Sequence, residues 1–225
     1  MKVLVLSDIH NDIENIMKFL DKLSVYKFDV IVAIGDFVDV NIPKGFSEED
    51  VGRIILEELK TLKKPILAVP GNFDKKLIPL FEKEGICLHG EGRVIGDVGF
   101  YGFGGAITPF ETPLEVTEEE IEEGLRKGYE KVKEAKFKVQ VTHIPPYRTQ
   151  LDMIVTGSHV GSKKVREFIE KYQPEVAACA HIHEGRGVDQ IGKTKIINSG
   201  RFPEGYCGLI TLEEGNIDAK IINLM

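Results

Sequence analysis

The first ten residues, MKVLVLSDIH, constrain this chain more than any other stretch. Val3, Leu4, Val5 and Leu6 form an apolar run with no polar alternation. Such a run predicts a strand buried on both faces, as in a parallel or mixed sheet. Asp8 and His10 follow at i and i+2, so in extended backbone they point the same way. A strand that ends in two hard ligands sets them at the carboxyl edge of a sheet, where open α/β sheets place their ligand sites. A carboxylate and an imidazole in one crevice make half of a metal site. The ordinary alternative is that they cap the helix that follows.

The same arrangement recurs along the chain. Ile13, Ile16, Met17 and Leu20 have helical spacing, which predicts an amphipathic helix over Asn11–Leu23. Asp29–Ile34 reads as a second buried strand and runs into Gly35-Asp36. Ser47 is placed to cap a helix reaching about Leu62. A third strand, Pro65–Val69, runs into Pro70-Gly71-Asn72. This alternation predicts right-handed crossovers and a parallel core. Asp74 is placed to cap a helix reaching about Glu84, and Ile86–Phe103 reads as short antiparallel strands separated by glycine. Thr108–Glu115 is irregular and punctuated by proline. Thr117 and Glu120 form a capping box for a helix to about Ala135. The strand Lys138–Thr142 ends in His143, and a long loop, Ile144–Gly161, follows. Ser162 caps a helix to about Tyr172, and the strand Glu175–Ala180 ends in His181-Ile182-His183. The tail from Val188 reads as hairpins. No repeat or linker interrupts the chain, so residues 1–225 are read as one domain of class α/β, with two sheets packed face to face and helices outside.

Five predicted strands thus end in candidate ligands: Asp8 and His10, Asp36, Asn72, His143, and His181 with His183. One such ending means little; five at one edge are hard to explain by capping. Gly35 and Gly71 let backbone approach a ligand closely. The set of imidazoles, carboxylates and one amide oxygen exceeds a single tetrahedral site and suits two metals sharing a carboxylate. Mixed N/O donors favour Mn, Fe, Co, Ni or Zn over Ca and Mg. A net charge of −7 argues against stable binding of nucleic acid or anionic membrane, and leaves room for a local cationic site made by metal. Cys87, Cys179 and Cys207 are widely spaced and form no CxxC pair, which suits reduced, buried thiols in a cytoplasmic protein. No apolar stretch approaches the ~20 residues needed to span a bilayer.

In order, Asp8-x-His10, Gly35-Asp36, Gly71-Asn72, His143 and His181-x-His183 resemble the signature of the calcineurin-like metallophosphoesterases. The resemblance runs from Met1 to at least Gly200. Thr142-His143-Ile144-Pro145-Pro146-Tyr147 and Asn198-Ser199-Gly200 look like the small bacterial and archaeal phosphodiesterase branch. The resemblance implies a four-layer αββα sandwich of two mixed sheets flanked by helices, with a dinuclear centre. Asp8, His10 and His183 would hold one metal, Asn72, His143 and His181 the other, and Asp36 would bridge them. Asn72 would also touch substrate. The implied reaction is hydrolysis of a small phosphate ester, a diester before a monoester, by a water activated between the two ions.

One position departs from the family pattern Gly-Asn-His-(Asp/Glu): here Phe73 follows Asn72, and it has no proton to donate. Leaving groups of low pKa are then favoured, or another group serves as acid. His159 lies in the long loop and is the candidate substitute; a loop histidine at a helix start is the alternative. Arg186 is a candidate for a phosphate oxygen, against an ordinary surface arginine in a turn. His89 reads as an ordinary loop residue. Phe73 also supports a different class of function, a non-catalytic scaffold that keeps the fold, as the retromer subunit of this fold does. The sequence leaves homo-oligomer formation open.

Overall fold

The computed structural model describes residues 1–225. In chain order the elements are β1 (Lys2–Ser7), α1 (Ile13–Lys22), β2 (Val30–Ile34), α2 (Glu48–Lys60), β3 (Ile66–Val69) and α3 (Ile78–Lys83). Then follow β4 (Glu91–Ile95), β5 (Val98–Phe103), α4 (Glu118–Glu130), β6 (Phe137–Thr142), α5 (Lys163–Tyr172), β7 (Val176–Cys179), β8 (Gly187–Ile191) and β9 (Thr194–Asn198). A hairpin of β10 (Tyr206–Glu213) and β11 (Asn216–Asn223) closes the chain. One sheet has the order β11-β10-β1-β2-β3 and the other β4-β5-β6-β7-β9-β8. Parallel pairing joins β1 to β2 and β2 to β3, and runs through β5, β6, β7 and β9. Antiparallel partners close the edges, so both sheets are mixed.

The apolar run of β1 explains the layering. Val3 and Val5 face the second sheet across a shared core with Val32, Val139, Val141 and Ile197. Leu4 and Leu6 face the other way, against Ile16 and Leu20 of α1 and Ile55 and Leu59 of α2. All four are fully buried, so the strand had no position for a polar residue. The outer face of the second sheet packs Tyr101, Ala177 and Ile196 on Leu125 of α4 and Val165 and Ile169 of α5. The result is the expected order of helix, sheet, sheet, helix. No helix is long and apolar enough to cross a membrane, and all three cysteines are buried and free.

The caps follow sequence chemistry. Ser47 with Asp50 and Thr117 with Glu120 form reciprocal capping boxes, and the Ser162 side chain accepts from Val165 N–H. The cap of α1 is Asp12, which frees Asp8 and His10 from that role. Three expectations are corrected. The helix expected from Asp74 is broken into a 3-10 turn, Lys75–Leu77, and α3, because Pro79 has no N–H for a continuous ladder and is tolerated only in a first turn. Asp74 makes no side-chain cap there. Helix α4 stops at Glu130, five residues before Ala135; its continuation tightens into i→i−3 bonds from Lys131 and Val132.

His89, an ordinary loop residue by sequence, stacks on Phe103 at 4.1 Å, and its Nδ1 accepts from Gly104 N–H at 3.0 Å. Burial pushes its pKa from 6.5 down to about 4. Between those values the folded ring stays neutral while the unfolded chain takes a proton. Its contribution is therefore complete above the unfolded pKa and is lost as pH falls through the folded one. His89→Gln in chelator-treated protein is expected to reduce the stability lost between pH 7 and pH 4.5 by about 1–2 kcal/mol, the partly solvated ring keeping the figure low. Urea melts of both proteins at the two pH values check this.

Candidate metal centre

The parallel strands β1, β2 and β3 of one sheet and β6 and β7 of the other end side by side, and every candidate ligand sits just past one of these ends. The extended geometry expected for Asp8 and His10 is corrected: β1 ends at Ser7, and both residues take left-handed backbone, with φ of 52° and 50°. Asp36 (49°) and His181 (68°) do the same. Left-handed backbone is uncommon outside glycine, though Asp, Asn and His tolerate it best, and costs on the order of 1 kcal/mol per residue. Neighbouring loops hold it in place: Asp8 N–H donates to Gly35 O at 3.1 Å, and Ile9 and His10 N–H donate to Asp36 O at 2.8 and 2.9 Å. The strained turns aim side chains at one point that a straight strand would have sent past one another.

Two groups of ligand atoms result. Asp8, His10 and His183 form one, and Asp36, His143 and His181 the other; within each, the ligand atoms lie within 4.8 Å of one another. Asp36 ties them together, since its Oδ2 is 3.8 Å from His10 Nε2 and 3.3 Å from His143 Nε2. Asn72 Oδ1 lies 3.1 Å from His143 Nε2, which completes the seven expected residues. Gly35 and Gly71 are required sterically. A Cβ on Gly35 would strike His143 and the Gly71 backbone, and one on Gly71 would strike the Asp36 carboxylate.

The donors fit divalent cations. Asp8 Oδ2 and both ring nitrogens of His10 are buried without a hydrogen-bond partner. Buried polar atoms are seldom left unpaired; His10 Nδ1 faces Asp39 Oδ2 at 3.4 Å, and the Asp8 carboxylate and one His10 ring nitrogen gather with His183. His143 gives the same indication. Its Nδ1 faces Ile34 O at 3.4 Å, which leaves Nε2 between two oxygens, of Asp36 and Asn72. Only a proton or a metal ion reconciles a ring nitrogen with two acceptors. Burial alone would lower the His143 pKa, yet the charge and contact of Asp36 outweigh it and hold it at about 9. Burial, and then the positive charge of His143 beside it, push His181 down to about 4. Asp8 sits at about 2, burial being overcome by His183, His143 and His10. A cluster of buried carboxylates and imidazoles this dense is what a cation would neutralise.

Asp74, a helix cap by sequence, belongs to this centre instead. It is fully buried, and its carboxylate accepts from Gly71 N–H at 2.8 Å, Val38 N–H at 3.1 Å and Phe37 N–H at 3.2 Å. It thus clamps the turn that carries Asp36 to the turn that carries Asn72. Burial and the nearby Asp36 charge raise its pKa to about 7.

The two remaining candidates lie outside this group. His159 Nδ1 is 2.8 Å from Asp152, a buried carboxylate that also accepts from Thr149 and Gly161 N–H. The crevice wall beside it is made by Ile154 and Val160. The Arg186 guanidinium stacks 3.6 Å from the Tyr206 ring centroid, is exposed, and is not among the residues lining the crevice. Phe73 borders the crevice, its ring edge-on to His10 at 6.1 Å.

Imidazoles and carboxylates gathered at the carboxyl edges of a two-sheet sandwich make a candidate metal centre. The chain belongs to the calcineurin-like phosphoesterase family, whose sequence profile matches residues 1–185. It is 33% identical over 214 residues to the protein MJ1162 of Methanocaldococcus jannaschii, covering 92% of this chain and 90% of that one. Its fold is similar to that of TT1561 of Thermus thermophilus, with a TM-score of 0.76 at 21% identity over 100% of this chain and 99% of the other. It is also similar to a dimetal phosphatase from Danio rerio, with a TM-score of 0.72 at 12% identity over 100% and 96% of the two chains.

Proposed function

We propose that the protein hydrolyses small phosphodiesters at a centre of two divalent transition-metal ions. The observation that carries this reading is Asp36 Oδ2, which lies within 4 Å of a histidine from each ligand group. Asp8, His10 and His183 would hold one ion, Asn72, His143 and His181 the other, and Asp36 both. A bound pair supplies a water deprotonated near neutral pH and positive charge for the phosphoryl oxygens. The ligand set offers nitrogen and oxygen but no thiolate, which favours Mn, Fe, Co, Ni or Zn. The Danio rerio neighbour is a dimetal phosphatase, in keeping with a two-ion centre.

The chain's own residues shape the rest. Ile34 O orients His143, and Leu114 N–H donates to Asn72 O at 2.8 Å, so both ligands are fixed from behind. No lysine or arginine lines the crevice. A dianionic monoester would find no cation beyond the metals, which favours the singly charged diester. Apart from the ligands, Glu111 is the one titratable group on the lining. With Phe73 where a proton donor is expected, departure of the leaving oxygen goes without a well-placed side-chain acid, and esters of acidic alcohols or phenols react best.

The test is turnover of a bis-aryl phosphodiester and an aryl phosphomonoester by chelator-stripped protein reloaded with Mn²⁺ or Ni²⁺, together with elemental analysis. About two ions per chain and a kcat/KM for the diester at least about tenfold above the monoester are expected. Equal or reversed ratios refute the diester preference. No turnover and no retained metal refute the enzyme reading and favour the scaffold, for which Phe73 is the specific observation.

A further inference from the structure

The crevice beside the metal ligands is one-sided in chemistry. It has a volume of about 550 Å³, and five of the seven candidate ligands, His10, Asp36, Asn72, His181 and His183, line it. Its walls are Phe73, Ile107, Phe110, Ile154 and Val160, with Val40 at the rim. Several of these apolar groups are held in water: Phe110 is 80% exposed, Val40 67%, Ile107 39% and Val160 37%. Scattered exposed apolar residues need no explanation, but these converge on one cavity. They come from four separate segments, so no single helix or strand face accounts for them.

The wall is also built to stay in place. The carboxylate of Glu115 accepts from the N–H and hydroxyl of both Thr108 and Thr112, closing Ile107–Pro113 into a braced loop. Leu114 N–H donates to Asn72 O, and Gly105 N–H donates to Pro70 O at 2.9 Å, so the loop is tied to the turn that carries a metal ligand. On the opposite side, Asp152 accepts from Arg148, Thr149 and Gly161 N–H and fixes the segment that bears Ile154 and Val160. A braced apolar wall beside the candidate metal ligands is a specificity element.

We infer that the crevice selects a phosphodiester whose organic arm is apolar, an alkyl or aryl group, which lies against Phe73, Phe110 and Ile107 while the phosphate sits on the metal ligands. This inference rests on the proposed phosphodiesterase reading and adds the substrate class. The arm carries no negative charge, since no lysine or arginine faces it and Glu111 would repel an anion. A nucleoside arm needs polar partners for its base and sugar; besides the ligands the lining offers Thr108, Thr112 and Glu111, and both threonine hydroxyls are spent on Glu115.

The experiment uses Mn²⁺-loaded full-length protein and 4-nitrophenyl alkyl phosphates with methyl, butyl and octyl arms, the leaving group held constant. A nucleoside 5′-(4-nitrophenyl phosphate) is the polar comparison. Burial of each methylene favours binding by up to about fourfold, so butyl should exceed methyl in kcat/KM by about tenfold or more, and the nucleoside ester should fall below butyl. Phe110→Ser and Ile107→Ser, both at exposed positions that leave the core intact, should each compress the octyl-to-methyl ratio about threefold or more. A second readout needs no turnover: N-phenyl-1-naphthylamine, an uncharged apolar dye, should bind chelator-treated protein with enhanced fluorescence, and both variants should weaken that binding. A flat chain-length series, a preference for the nucleoside ester, or dye binding indifferent to both substitutions overturns the inference. Absence of turnover with every ester overturns the phosphodiesterase reading instead, and the dye then decides whether the apolar site exists.

Discussion

Changing Asp36 to asparagine is expected to lower kcat/KM for an aryl phosphodiester by roughly 10³-fold or more, a loss of about 4 kcal/mol of transition-state stabilisation. The reasoning is geometric. Asp36 Oδ2 is 3.8 Å from His10 and 3.3 Å from His143, so it touches a candidate ligand ring of each group. An amide keeps the volume and one oxygen but loses the charge and one acceptor, so it cannot serve two cations. The fold should survive, because the other carboxylate oxygen, Oδ1, does a job an amide oxygen can take over: it accepts from Phe73 N–H at 3.2 Å. Circular dichroism of chelator-treated wild type and variant should therefore coincide. Elemental analysis should show the variant retaining fewer ions than wild type after dialysis. A variant that keeps both activity and two ions would remove Asp36 from the centre and leave the two ligand groups unconnected.

How much of this was legible in the chain depends on which physical signal each residue carries. The strands and their edge were readable, because Val3–Leu6 and Asp29–Ile34 are apolar without alternation and end abruptly in polar groups. The convergence of the candidate ligands was readable for the same reason: each follows a strand end, and the structure gathers all seven. Backbone conformation was not readable. Nothing in Ser7-Asp8-Ile9-His10 announces three turns of the left-handed kind at Asp8, His10 and Asn11, which arise from hydrogen bonds to the Gly35–Phe37 loop far along the chain. His159 and Arg186 stand out by residue type, and residue type does not report the buried Asp152 or the Tyr206 ring that engages them. The apolar wall was not legible at all. Thr108–Glu115 has neither helical nor strand periodicity, and the one hint was an aromatic, Phe110, between two prolines in an irregular segment, where binding residues concentrate.

Asp74→Ala is expected to destabilise the protein by about 3–5 kcal/mol, more than an ordinary surface carboxylate could. Its side chain is wholly buried, and three backbone N–H groups, of Gly71, Phe37 and Val38, donate to it. Alanine would leave those donors unpaired in a space too closed for ready solvation, and each such group costs about 1–3 kcal/mol. Part of that loss is offset, because the substitution also removes a buried carboxyl whose neighbour Asp36 repels its charged form. The position of the clamp gives the variant a second signature. It joins the Asp36 turn to the Asn72 turn, so loosening it should weaken metal affinity by about 10–100-fold, as happens when a group that orients a ligand is lost. Thermal melts with and without Mn²⁺ read both effects: the variant should melt lower than wild type in chelator, and should gain less on adding metal. A core residue with no bearing on the centre would lower the first melt and leave the metal-induced gain unchanged. If Asp74→Ala does that, the carboxylate only fills space and accepts hydrogen bonds, and the ligands are positioned by the strained turns alone.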